Sequence, residues 1–88
     1  MKLRGEFVVR NVVDNAVAVP VGQTALHFNG MVMLNDVSRV IWLCLEQETT
    51  VEDIVAAVID AFEVEPSQAT ADVLEFLQQL RDAQLLEE

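Results

Sequence analysis

Few residues in this chain could carry out covalent chemistry, and none is arranged to do so. The sequence holds one histidine, His27, and one cysteine, Cys44. A hydrolytic centre needs a nucleophile with a base in hydrogen-bond reach. No acid neighbours His27 in the sequence to orient it, so it reads as a surface or turn histidine. Cys44 falls on the inward stripe of a helical pattern, where a free thiol behaves as a small hydrophobe. One Cys and one His fall short of a structural zinc site. Gly22 and Gly30 are isolated and form no phosphate-cradling loop. Among the carboxylates, Glu46 and Glu48 sit in a loop, Asp60 and Glu63 on the outer side of a helix, and Asp72, Glu75 and Asp82 along another. None pairs with a second acid on a buried face, so they read as a solvated acidic surface. Trp42 has two readings: a core ring, or an aromatic anchor for a partner, since Trp is enriched at binding hot spots.

The composition narrows the partners. Five Lys and Arg stand against fifteen Asp and Glu, a formal net charge of −10. Affinity for nucleic acid comes largely from cations neutralising phosphates, and anionic membranes attract basic segments in the same way. Neither nucleic acid nor a membrane surface is therefore expected as a partner. With 88 residues, the chain reads as a single domain, 1–88. At 52% hydrophobic, it has ample material for a core. A lone cysteine, no signal-peptide pattern after Met1 and no long apolar run together read as a cytoplasmic protein.

The elements that would position any site fall in two blocks. Phe7–Val13 and Ala16–Val21 are rich in β-branched residues and flank Asp14-Asn15, a plausible two-residue turn. Pro20, which has no N–H to donate, belongs at a strand end or edge. Met31-Val32-Met33-Leu34 follows the Asn29-Gly30 turn signal as a third strand. Short connections imply antiparallel pairing. The rest reads as three helices. Asn35 or Asp36 caps the first, whose inward stripe is Val37, Val40, Ile41, Cys44 and Leu45. Thr49 with Glu52, or Thr50 with Asp53, opens the second, with Val51, Ile54, Val55, Val58 and Phe62 facing inward. The third runs from Pro66 to about Ala83, with Val73, Phe76, Leu77 and Leu80 inward. Beside that face lies a weaker stripe of Ala71, Leu74, Gln78 and Arg81. Leu85-Leu86 is expected to fold back onto the core. The expected fold is α+β and winged helix-turn-helix-like, a three-stranded antiparallel sheet followed by three helices.

A winged helix often binds DNA through its recognition helix. Between Pro66 and Ala83, however, Arg81 is the sole cation against Asp72, Glu75 and Asp82, so a helix of that sign is pushed from a major groove. A three-stranded sheet instead offers edges with unpaired backbone groups, to which a peptide can add as a further strand. The apolar, Met-rich segment Met31, Val32, Met33 and Leu34 is the candidate edge. Ala71, Leu74, Gln78 and Arg81 are the candidate far wall. A DNA-binding regulator and an oligomerisation or scaffold module that pairs its own edges are the rival readings, and an enzyme is not expected.

The run FNGMVMLNDVSRVIWLCLE resembles the strand-to-helix junction of PqqD-like proteins, through Leu34-Asn35 and Ile41-Trp42-Leu43. The remainder is similar to the same family in its Thr-Val-Glu-Asp-Ile opening, Val64-Glu65-Pro66, Ala71-Asp72-Val73, Phe76-Leu77, Leu80 and Leu85-Leu86. This resemblance implies a RiPP recognition element, or peptide chaperone. Such a domain binds the leader segment of a ribosomally made precursor and presents it to a modifying enzyme, often a radical SAM enzyme. It implies no catalysis and no cofactor. It places the leader along Met31–Leu34 and against the exposed side of Ala71 to Arg81. Two features depart from the family. Gln84 stands where many members have Gly before the paired Leu. The opening hairpin and the connection from Gly22 to Gly30 differ from members devoted to pyrroloquinoline quinone, which implies another class of precursor.

Overall fold

The structure, a computed structural model, describes residues 1–88. Strands β1 (Lys2–Leu3), β2 (Phe7–Val12) and β3 (Asn15–Pro20) are followed by a single helical turn, α1 (Thr24–His27), and by β4 (Val32–Leu34). Helices α2 (Asp36–Cys44), α3 (Val51–Phe62) and α4 (Pro66–Asp82) come next, and β5 (Leu86–Glu87) closes the chain. The main sheet has the order β2-β3-β4, and both pairings are antiparallel. The expected α+β, winged-helix-like arrangement of three strands and three helices is thus present. A second, two-stranded sheet joins β1 to β5, which the sequence reading did not foresee.

Period-two alternation sorts the main sheet into two faces. Ala16 and Ala18 of β3 and Leu34 of β4 point into the core, and all three are buried. The two small alanines let the helical layer approach the sheet closely. That layer supplies Ile41, Trp42 and Leu45 from α2 and its end, Ile54 and Val58 from α3, and Ala69, Val73, Phe76, Leu77 and Leu80 from α4. Leu85 and Leu86 fold back into the same cluster. Trp42 is fully buried and meets Phe7 edge-on, with ring centroids 5.2 Å apart. Its role is therefore packing, and the partner-anchor reading falls away.

Helix starts follow local chemistry. Asn35 caps α2 through a reciprocal box: Ser38 N–H donates to Asn35 Oδ1 at 2.9 Å, and Asn35 N–H donates to Ser38 Oγ at 2.8 Å. Thr50 Oγ1 accepts from Asp53 N–H at the start of α3. Pro66 opens α4, where its missing N–H leaves no bond unmade. The end of α4 is a Schellman motif: Leu85 N–H donates to Leu80 O at 2.8 Å and Gln84 N–H to Arg81 O at 3.0 Å. Gln84 accordingly takes a left-handed φ of 62°. This explains why a glycine suits that position, and the helix ends there without one.

The β2–β3 turn differs from expectation by one residue. Its loop is Val13-Asp14, not Asp14-Asn15, and Val13 carries a φ of 54°. The observed register sets Pro20 opposite Phe7 on the last rung of the ladder. The expected turn would have put Pro20 opposite Val9, inside the ladder, where a missing N–H is disfavoured. Similarly, the third strand is one residue shorter than expected, with Met31 lying just outside it.

Candidate functional site

β4 is an edge of the main sheet, paired to β3 on one side only. None of the backbone hydrogen bonds made outside the regular elements reaches Val32–Leu34. The outer edge of β4 thus keeps its unpaired N–H and C=O groups, the arrangement to which an extended chain can add. Beside it opens a cleft of about 400 Å³. Its apolar lining is Met33, Leu34, Val37, Ile41 and Phe76, drawn from β4, α2 and α4. Its polar lining is Asn15, Asn35, Ser38, Asp72, Glu75 and Gln79.

Each wall has a local cause. Leu34 and Ile41 are almost wholly buried and form the floor, so the cleft bottoms directly on the hydrophobic core. The junction Asn35 turns the chain from β4 into α2, and its capping box fixes the angle at which Val37 and Ile41 meet the strand. Helix α4 adds Phe76, at the margin of its core face, with Asp72, Glu75 and Gln79 along the flank beside it. Those three recur at i, i+3 and i+7, the spacing of one helix face.

Of the residues expected at the site, Met33 and Leu34 line the cleft, and Val32 lies in the same strand. Met31 is exposed next to it. Ala71, Leu74, Gln78 and Arg81 are exposed but do not line the cleft. At roughly 100° per residue, their stripe lies about a third of a turn around α4 from Asp72, Glu75 and Gln79. Arg81 is moreover engaged elsewhere: Nε donates to Glu88 Oε2 at 2.8 Å and Nη2 to Glu88 Oε1 at 2.9 Å. That fork raises the guanidinium pKa and lowers that of the Glu88 carboxyl. Asp72, Glu75 and Gln79, which line the cleft, were not singled out from the sequence. The signal was their spacing, but their polarity marked them as a solvated face.

The reactive side chains do not converge on this cleft. His27 is exposed and borders a separate hollow with Arg4, Thr24 and Phe28. Cys44 is half-buried on α2, and burial, with Asp53 nearby, raises its thiol pKa. No group of three His, Cys, Asp or Glu side chains is placed to hold a metal ion. No helix is long and apolar enough to cross a membrane.

Comparison with known proteins bears on this geometry. The family described as coenzyme PQQ synthesis protein D (PqqD) matches residues 10–86. Among solved structures, a chain of "TbiB1 in Complex with the TbiA(beta) Leader Peptide" superposes with a TM-score of 0.73 and 26% sequence identity. The match covers 99% of this chain and 95% of that one. A search of curated proteins returned no match.

Proposed function

This chain belongs to the coenzyme PQQ synthesis protein D family, and from that premise we propose that it is a leader-peptide-binding domain, a RiPP recognition element. It binds the leader segment of a ribosomally made precursor peptide by strand addition to β4. It performs no catalytic step itself and presents the precursor to a modifying enzyme, of the radical SAM class, in the cytoplasm. The observation that carries this reading is the unpaired edge of β4 opening onto the adjacent cleft. Backbone groups of Met31–Leu34 supply sequence-independent affinity, and the cleft supplies selectivity through alternate side chains of the bound segment. The solved TbiB1 structure, similar over nearly its whole length, holds a leader peptide.

On α4 we assign the wall to Phe76, Gln79, Asp72 and Glu75, and leave Ala71, Leu74, Gln78 and Arg81 outside the contact. The test is an amide NMR titration with the leader peptide encoded beside this chain's gene. Shifts concentrated in Met31–Leu34 and in the cleft face of α4 are expected. Shifts confined to the outer stripe of α4, or none at millimolar peptide, would overturn the assignment. Self-association through the β4 edge would show instead as a concentration-dependent mass in light scattering without peptide.

A further inference from the structure

The cleft is apolar at its floor and negative at its rim, and no Lys, Arg or His lines it. Asp72 and Glu75 both line it, three residues apart on α4, within reach of one another's ligands. Neither takes part in an ion pair: the two in the protein join Met1 to Glu48 and Arg81 to Glu88. Asp72 is half-buried and accepts one hydrogen bond through Oδ1, from Gln68 Nε2 at 2.8 Å. On the opposite wall, Asn35 Oδ1 and Ser38 Oγ are engaged with each other's backbone N–H groups, so the capping donors are not free for an anion.

We infer that the segment bound here presents a lysine or arginine to Asp72 and Glu75, while its neighbouring apolar side chains rest on Phe76 and Val37. The preferred leader is therefore a basic–apolar extended segment rather than an acidic one. This rests on the strand-addition reading above and deepens it. An acidic side chain at the same position would face two carboxylates at a partly desolvated rim, where repulsion is least screened. A basic one gains a charge-assisted contact with both. The net charge of −10 over the whole chain acts in the same direction at longer range.

The experiment uses acetylated, amidated synthetic peptides with an alternating Leu/Thr framework, scanned at each position with Lys, Arg, Gln and Glu, and followed by fluorescence anisotropy. Lys and Arg should bind roughly five- to tenfold more tightly than Gln at one position, and Glu more weakly than Gln. The ranking should flatten in about 1 M salt. The double variant Asp72→Asn/Glu75→Gln changes exposed or half-exposed helix positions and keeps the Gln68 contact within reach. It should lose the Lys and Arg preference while still binding the Gln peptide, and Glu75→Lys should favour the Glu peptide. Equal binding of Lys, Gln and Glu peptides that nevertheless compete at the cleft would overturn this inference and leave strand addition standing. Failure of every framework peptide to bind, or binding indifferent to a Gln79→Trp block of the cleft, would overturn both.

Discussion

Two adjacent glutamines on α4 separate the competing faces of that helix. Gln78 belongs to the stripe picked out by helical spacing, and Gln79 lines the cleft. Both are exposed, so Trp at either leaves the core intact. At position 79 an indole can lie over the apolar floor of a cleft of only about 400 Å³. An aromatic side chain buries roughly 150–250 Å² when enclosed. Half of that, at about 25 cal/mol per Å², is about 2–3 kcal/mol that the peptide must displace. Ordering the indole offsets roughly 1 kcal/mol. Gln79→Trp should therefore weaken leader binding by between about fivefold and thirtyfold. At position 78 the substitution forfeits only surface contacts, the bond from Gln78 Nε2 to Asp82 Oδ1 and that from Arg81 Nη1 to Gln78 Oε1. Binding should then stay within about twofold. Isothermal titration with the leader peptide reads both variants, and urea unfolding checks that each is folded. If Gln78→Trp impairs binding and Gln79→Trp does not, the peptide lies on the outer stripe and the cleft assignment is wrong.

Other outcomes follow from the backbone and the titrating groups. Gln84→Gly relieves a left-handed φ that disfavours a side chain by about 1–2 kcal/mol, less the roughly 0.4–1 kcal/mol of extra unfolded-state freedom. Its melting temperature should rise by roughly 3–6 °C, and no rise would refute the Schellman end. Val13→Gly, at the first central position of the β2–β3 turn, should stabilise by a similar amount, read as a higher urea midpoint at unchanged slope. Asn35→Ala removes the capping box and should destabilise by about 1 kcal/mol. Because that cap sets the cleft wall, leader affinity should fall too, whereas unchanged affinity would uncouple the cap from the site. The thiol of Cys44 has a folded-state pKa above its usual 9.0, raised by burial and then by Asp53. Its contribution to stability is complete below the usual thiol range and is lost as pH rises through the raised value. Denaturant melts should therefore weaken at alkaline pH in the wild type and less so in Cys44→Ala.

The residues that the sequence read best are those whose signal is local. Pro66 opening α4 follows from a proline that lacks the N–H of a first turn, and the caps of α2 and α3 were legible to within one residue, at Asn35 or Asp36 and at Thr49 or Thr50, of which the structure uses Asn35 and Thr50. The inward faces of α3 and α4 follow from spacing, because a helix buries whatever recurs at its own period. Composition set the expectation against phosphate ligands, since a chain with this much acid is a poor partner for them. What failed was local in appearance but long-range in cause. The turn at Val13-Asp14 answers to where Pro20 must sit six residues later, and β1 exists only because β5 returns to pair with it. Which flank of α4 borders the cleft has a long-range cause too. Periodicity defines a core face and leaves a flank on either side of it. Which flank meets β4 depends on how α4 crosses the sheet, and that is decided by packing among Leu34, Ile41, Phe76 and Leu77, residues far apart in the chain. The sequence alone therefore established the three strands of the main sheet, the three long helices, the inward faces of α3 and α4 and a short apolar strand suited to an edge. Only the tertiary structure decided that Asp72, Glu75 and Gln79 stand across from that edge, because proximity between distant segments is a property of the packed core and not of any one helix.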